Sequence, residues 1–160
     1  MVKLDILFRE HKISRIKETE LERYTDFFTN SYKDNLMHAK ANVNEFPRWS
    51  IISGYYAMHD ISKLLIAKVY RLKIEQEVHA TTIKVLRELI KDKETLKLIE
   101  AGYEQFKNLA NELSDAKKER VKVQYYTGTD FIRKKYERMA KEFMSDADIY
   151  LEKIRKIMEK

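Results

Sequence analysis

Residues 47–72 read PRWSIISGYYAMHDISKLLIAKVYRL. Two sets of residues recur in it at steps of three and four. One is Trp49, Ile52, Tyr56, His59, Lys63, Ile66 and Tyr70; the other is Ile51, Tyr55, Met58, Ser62, Leu65, Val69 and Leu72. That period is helical. A helix apolar on two sides needs core on both, so this segment is expected at the centre of the fold. Within it stand an imidazole, a carboxylate and an amine: His59, Asp60 and Lys63. Their presence poses the functional question.

Outward from this segment the chain continues in helical patterns. Pro47 is the only proline. It ends one helix and suits the first position of the next. Before it, from Ser14 to Phe46, Leu21, Tyr24, Phe28, Tyr32, Leu36, Ala39, Val43 and Phe46 keep helical spacing. Glu18, Glu20 and Glu22 suit the positive end of that helix. Residues 4–12 are expected to add a short helix. Two long helices joined so tightly run antiparallel.

After the central segment, KIEQEVHATT reads as a connector, with Thr81 or Thr82 capping a short helix through Ile83, Leu86 and Ile90. KDKET is a polar joint. A further helix carries Leu96, Ile99, Tyr103, Phe106, Ala110 and Leu113 on one side. SDAKKERVKVQYYTGTD reads as an irregular stretch, ending in a capping pattern at Thr127–Asp130. The last helix uses Ile132, Tyr136, Ala140, Phe143, Ala147, Tyr150, Ile154 and Ile157. The expectation is an all-α protein, an up-and-down bundle of four or five helices. It forms one domain over residues 1–160, with residues 1–13 as the N-terminal addition.

Composition agrees with that fold class. The 160 residues include three glycines and one proline, too few turn formers for an all-β fold. Lys and Glu, both strong helix formers, are abundant. That abundance also suits a heat-adapted source, although long helices alone would give it. A chain of this length buries roughly 70% of its unfolded surface and needs no staple to build a core. Cys is absent, which removes disulfides, thiolate metal sites and cysteine nucleophiles. No run of eighteen apolar residues and no signal peptide is read, so the cytoplasm is the expected location and no membrane partner is expected.

The net charge of +6 is unevenly spread. Residues 1–116 carry a net of +1, and residues 117–160 carry +5. A polyanion would be drawn to the last quarter. The other reading of that excess is a solvated lysine-rich helix face.

Among chemical motifs, a di-iron bundle would need Glu-x-x-His on two helices. None of His11, His38, His59 and His79 has Glu three residues before it. There is no Gly-rich phosphate loop, no G-x-S-x-G and no H-E-x-x-H. No metal and no cofactor is expected. Three groupings remain. Tyr56, His59, Asp60 and Lys63 share a helix face; Asp60 and Lys63 can pair at i,i+3, and the bland reading is a satisfied polar patch. His79 stands before a helix start, where a capping or connector role is the simpler one. Arg120 and Lys122 supply cations beside the rings of Tyr125 and Tyr126, ahead of a helix N-terminus, which suits phosphate and base. There the plain alternative is a loop docked on the bundle.

SGYYAMHDISKLLIAKVYRLKIEQEVHATTIKVL and ERVKVQYY…TDFIRKKYERMAKEFM together resemble the HEPN family (higher-eukaryote and prokaryote nucleotide-binding domains), over about residues 20–158. The resemblance implies a helical bundle, usually dimeric, often encoded beside or joined to a minimal nucleotidyltransferase. In many members an Arg, with a His a short step further on, cleaves RNA without metal. Carried over, Arg120 is the family Arg and Tyr125 its following Tyr. The His is missing here: the nearest arrangement, Arg71 with His79, has seven residues between, and no His follows Arg120. Metal-free RNA cleavage needs one group to accept the 2′-hydroxyl proton and another to protonate the leaving oxygen. A Tyr with an ordinary pKa near 10 serves poorly.

The sequence therefore leads to a non-catalytic HEPN-type module that dimerises and binds a nucleotide, RNA or a nucleotidyltransferase partner. Its expected binding residues are Arg120, Lys122, Tyr125, Tyr126, Tyr56, His59, Asp60 and Lys63. The alternatives are a toxin-like ribonuclease using other residues, such as His59 with Arg120, and a structural bundle within a larger complex.

Overall fold

The computed structural model describes residues 4–126 and 129–160, with side chains described outside residues 113–131. The chain forms α1 (Leu4–Arg9), β1 (Ile13–Arg15), α2 (Glu18–Ala41), α3 (Pro47–Tyr70), β2 (Leu72–Ile74), α4 (Val78–Leu89), α5 (Lys93–Tyr126) and α6 (Thr129–Met158). It is an all-α helical bundle.

Helix α3 is its centre. Pro47 takes the N1 position, and at the other end Arg71 turns left-handed (φ 58°) and gives its N–H to Ala67 and Ile66 carbonyls. Side chains from Ile51 to Leu65 such as Tyr55, Met58 and Ile61 are almost fully buried. Helix α2 returns antiparallel along one side. Ser50 Oγ donates to the Ala39 carbonyl at 2.6 Å, His38 Nδ1 meets Ser53 Oγ at 2.7 Å, and Ser31 Oγ donates to Asp60 at 2.6 Å. Helix α6 runs parallel to α3 on another side. Arg48 lies over the Tyr136 ring at 5.4 Å, and Tyr150 gives its hydroxyl hydrogen to Ser62 Oγ at 2.6 Å. The direction follows because Ser62 already donates to the Met58 carbonyl. Helix α5 runs antiparallel to α6, fixed by Lys153 to Asp92 and Glu94 at one end and by Tyr136 to Glu112 further down.

The N-terminal segment and the α3–α5 connection cap one end of the bundle. β1 and β2 pair antiparallel, Ile13 opposite Ile74 and Arg15 opposite Leu72. Their inward side chains, Ile13, Leu72 and Ile74, are buried together with Leu7. Ion pairs lace the outside, among them Lys73 with Glu20 and Lys12 with Glu77.

Three boundaries differ from the sequence expectation. The long first helix spans Glu18–Ala41 rather than Ser14–Phe46, because residues 13–15 join the ribbon and Asn42 caps the other end, its side chain donating to the His38 carbonyl, before a short turn. The connector before α4 is partly a strand, and α4 starts at Val78, so His79 lies inside a helix; Thr81 Oγ1 instead donates back to the Gln76 carbonyl. The stretch read as irregular, residues 114–126, is the last part of α5. Its residues are mostly good helix formers with no Gly or Pro before Gly128, so nothing stops the helix earlier. The expected cap at Thr127–Asp130 includes residues outside those described. The short N-terminal helix, Pro47 at the start of α3 and the central position of α3 are as expected, but Pro47 does not itself end α2.

Candidate functional site

The polar residues of α3 divide between two neighbours. On the α2 side, Asp60 is 7% exposed and accepts hydrogen bonds from Ser31 Oγ at 2.6 Å and Asn35 Nδ2 at 3.1 Å. Its other oxygen faces His59 Nδ1 at 3.8 Å. The expected Asp60–Lys63 pair does not form. Lys63 instead places its ammonium 4.1 Å from the centre of the Phe28 ring. Burial pulls the Lys63 pKa down, and Asp60 partly offsets this.

On the α4 side, His59 is 3% exposed, and its Nε2 lies 3.3 Å from Thr82 Oγ1. Thr82 donates its only hydroxyl hydrogen to the Val78 carbonyl at 2.7 Å, so toward His59 it can only accept. Nε2 of His59 therefore carries a hydrogen. The ring of His79 packs beside it, centroids 4.5 Å apart. His79 Nδ1 is 3.0 Å from the Tyr55 hydroxyl. Burial and the nearby His59 and Lys63 push the His79 pKa down to about 4. Burial raises that of Tyr55. At neutral pH the phenol therefore donates to a neutral imidazole, and His79 Nε2–H remains as a donor.

Around this pair gathers a cluster of rings from three helices. Phe106 stacks on Tyr55 at 4.6 Å and meets Tyr56 edge-on at 5.6 Å. Tyr103 lies nearly parallel to His79 at 6.0 Å, with Lys107 4.5 Å above it. Tyr55 is wholly buried, whereas His79, Tyr103 and Phe106 are half-buried and Tyr56 is 36% exposed. The cluster is thus closed at its base and open at its rim. Beyond Tyr56, on the side of α3 between its α2 and α5 contacts, half-buried Ile52 leads to Trp49, which is 56% exposed.

Of the sequence-predicted residues, Tyr56, His59, Asp60 and Lys63 all stand on α3 but divide between its neighbours, Asp60 and Lys63 toward α2 and His59 toward α4; His59 and Asp60 are held inside, while Tyr56 reaches solvent. Arg120, Lys122, Tyr125 and Tyr126 fall on the last turns of α5, and their side chains lie outside the described residues. Along α5, fourteen residues or about 21 Å of rise separate Arg120 from Phe106. Sequence reasoning missed Thr82, Ser31, Asn35, Tyr103 and Phe106. The last two were visible only as one apolar side of α5, and His79 was singled out but with a capping or connector role as the simpler reading.

A surface cavity of about 510 Å³ lies elsewhere, between the start of α2 and the end of α3, and includes Glu18, Glu22, Asp26, Lys68 and Arg71. Its charges are of both signs, and Arg71 already meets Glu18 at 3.6 Å. Among the described residues no three His, Asp or Glu side chains are grouped to hold a metal ion. No described helix is long and apolar enough to cross a membrane. No protein-family model matches the chain, and no curated protein matches it as a relative.

Proposed function

We propose that the chain is a non-catalytic HEPN-type binding module whose ligand is a nucleotide or RNA. The observation that carries this reading is the open rim of rings formed by Tyr56, His79, Tyr103 and Phe106, with Lys107 beside it. Stacking on aromatic faces with a neighbouring cation suits a base and its phosphate. A neutral His79 adds a directional N–H donor without a charge to desolvate.

In this reading Arg120 and Lys122 hold phosphate, and Tyr125 or Tyr126 stacks a base, at the far end of α5. Two copies of the chain form a homodimer, and a minimal nucleotidyltransferase is the expected macromolecular partner. His59 and Asp60 act as positioning residues: the hydrogen bonds to Ser31, Asn35 and Thr82 fix the height of α2 and α4 against α3. A ribonuclease using His59 has less support, because a ring 3% exposed cannot reach a ribose hydroxyl.

The test is a titration of labelled RNA and of nucleotides at two salt concentrations, with wild-type protein and with His79→Ala and Tyr103→Ala. Binding weakened in both variants and by salt is the expected result. Absence of binding at low salt removes the ligand. Cleavage of single-stranded RNA by metal-free protein would return the ribonuclease reading.

A further inference from the structure

We infer that the ligand is a single-stranded polynucleotide laid along α3, with one base on Tyr56 and another, further along the strand, on Trp49, rather than a mononucleotide. The inference rests on the nucleotide- or RNA-binding reading above and names its substrate class. Trp49 and Tyr56 are seven residues apart, two helical turns, and so point to the same side of α3. The axial distance between them is about 10.5 Å. One base cannot stack on both rings, whereas a chain of bases can. Both rings are open to solvent, at 56% and 36%. Phe46, one turn before Trp49, is exposed to the same degree as Trp49.

Lys63 lies another seven residues beyond Tyr56 on the same side. It forms no ion pair within 4 Å among the described residues, and its ammonium rests on the Phe28 ring. It stands as a half-buried cation at one end of the row. The row leads the other way toward the end of the bundle where α3 begins. There Arg48 is tied to Tyr136 of α6, and Lys134, Lys135 and Arg138 are exposed on that same part of α6. The row is therefore open rings with a cation, Lys63, at one end and exposed basic residues of α6 level with the other. That is the complement of a short strand whose bases face the protein and whose phosphates leave toward a basic surface. On the α2 side of the row, Asn35 and His38 are already hydrogen-bonded to Asp60 and Ser53 of α3.

Trp49 is the sole tryptophan, so its emission reports on this row alone. The experiment titrates the intact protein with adenosine and uridine monophosphates and with oligoribonucleotides and oligodeoxyribonucleotides of about eight residues, within the usual footprint of such binders. An oligomer, of either sugar, that binds at least about tenfold tighter than the monophosphate and quenches Trp49 supports the inference. The arm that binds tighter identifies the sugar. Tyr56→Ala should lower oligomer affinity about tenfold while the quench at saturation persists. Trp49→Ala, followed with end-labelled oligomer, should likewise lower the affinity about tenfold.

Equal affinity for monophosphate and oligomer overturns the strand while leaving a nucleotide ligand in place. Oligomer binding that leaves Trp49 emission unchanged and ignores Tyr56→Ala overturns the location. Absence of binding by any nucleic acid at low salt removes both readings. A blue shift of Trp49 emission with protein concentration alone overturns the strand in favour of a face between two copies of this chain.

Discussion

Position 54 has no side chain where α3 and α6 press together. A Cβ there would stand 2.9 Å from Cε1 of Phe143 and 3.3 Å from the sulfur of Met144. Phe143 is itself buried, so its ring has little room to give. Alanine would gain up to about 1 kcal/mol of helix propensity over glycine. The overpacking costs about 1–3 kcal/mol. Gly54→Ala should thus destabilise by about 1 kcal/mol, read as a lower urea midpoint with unchanged slope. At the same scale, His79 makes the fold sensitive to acid. Its folded pKa of about 4 lies below the ordinary value near 6.5, so the unfolded chain takes up the proton first. Stability is full above about pH 6.5 and falls as the pH drops toward 4. After allowance for water at this half-exposed ring, the loss is about 1–2 kcal/mol. Melting followed from pH 7 to pH 4 should show this decline, and His79→Gln, which keeps an acceptor for Tyr55, should flatten it. The charges facing this ring are those of His59 and Lys63, which oppose its protonation, and of Asp60, which favours it.

Among the elements, the α2–α3 pair depends on a buried carboxylate. Asp60 receives hydrogen from Ser31 and Asn35 and has no Lys or Arg ion pair within 4 Å among the described residues. Asp60→Ala leaves the Ser31 hydroxyl and Asn35 amide facing a gap and should cost about 2–4 kcal/mol. Asp60→Asn keeps an acceptor and should recover about half of that loss, both read by denaturant unfolding. This seam explains what the sequence could and could not show. The helical period of α3 and its double apolar face were legible, because a helix buried on two sides must be apolar on two sides. The Pro47 junction was legible because proline fits only the start of a helix there. The β1–β2 ribbon was not: three-residue strands leave too few alternations to separate from a helix end. The partners of Asp60 were equally hidden. Lys63, three residues away, is the partner that sequence proximity favours, but the packing of Phe28 against α3 draws the ammonium onto a ring instead. His79 meets His59 only because the ribbon and α4 fold back across α3, a long-range placement that periodicity does not encode.

For the whole molecule, α2, α4, α5 and α6 all rest on α3, and α2 and α6 are linked directly by pairs such as Lys40 with Asp148, 3.1 Å apart on the exterior. Exposed pairs of that kind contribute at most about 1 kcal/mol, too little to hold two helices without the one they share. Baring α3 on all sides therefore means giving up most of the core at once. Deuterium should enter the amides of residues 51–67 only through complete unfolding, so their exchange free energies should equal the global value from denaturant. The exterior turns of α2 and the charged ribbon should exchange sooner. A protein arranged in this way lacks a stable half-folded form, so a protease would find either an intact rod or an entire loose chain.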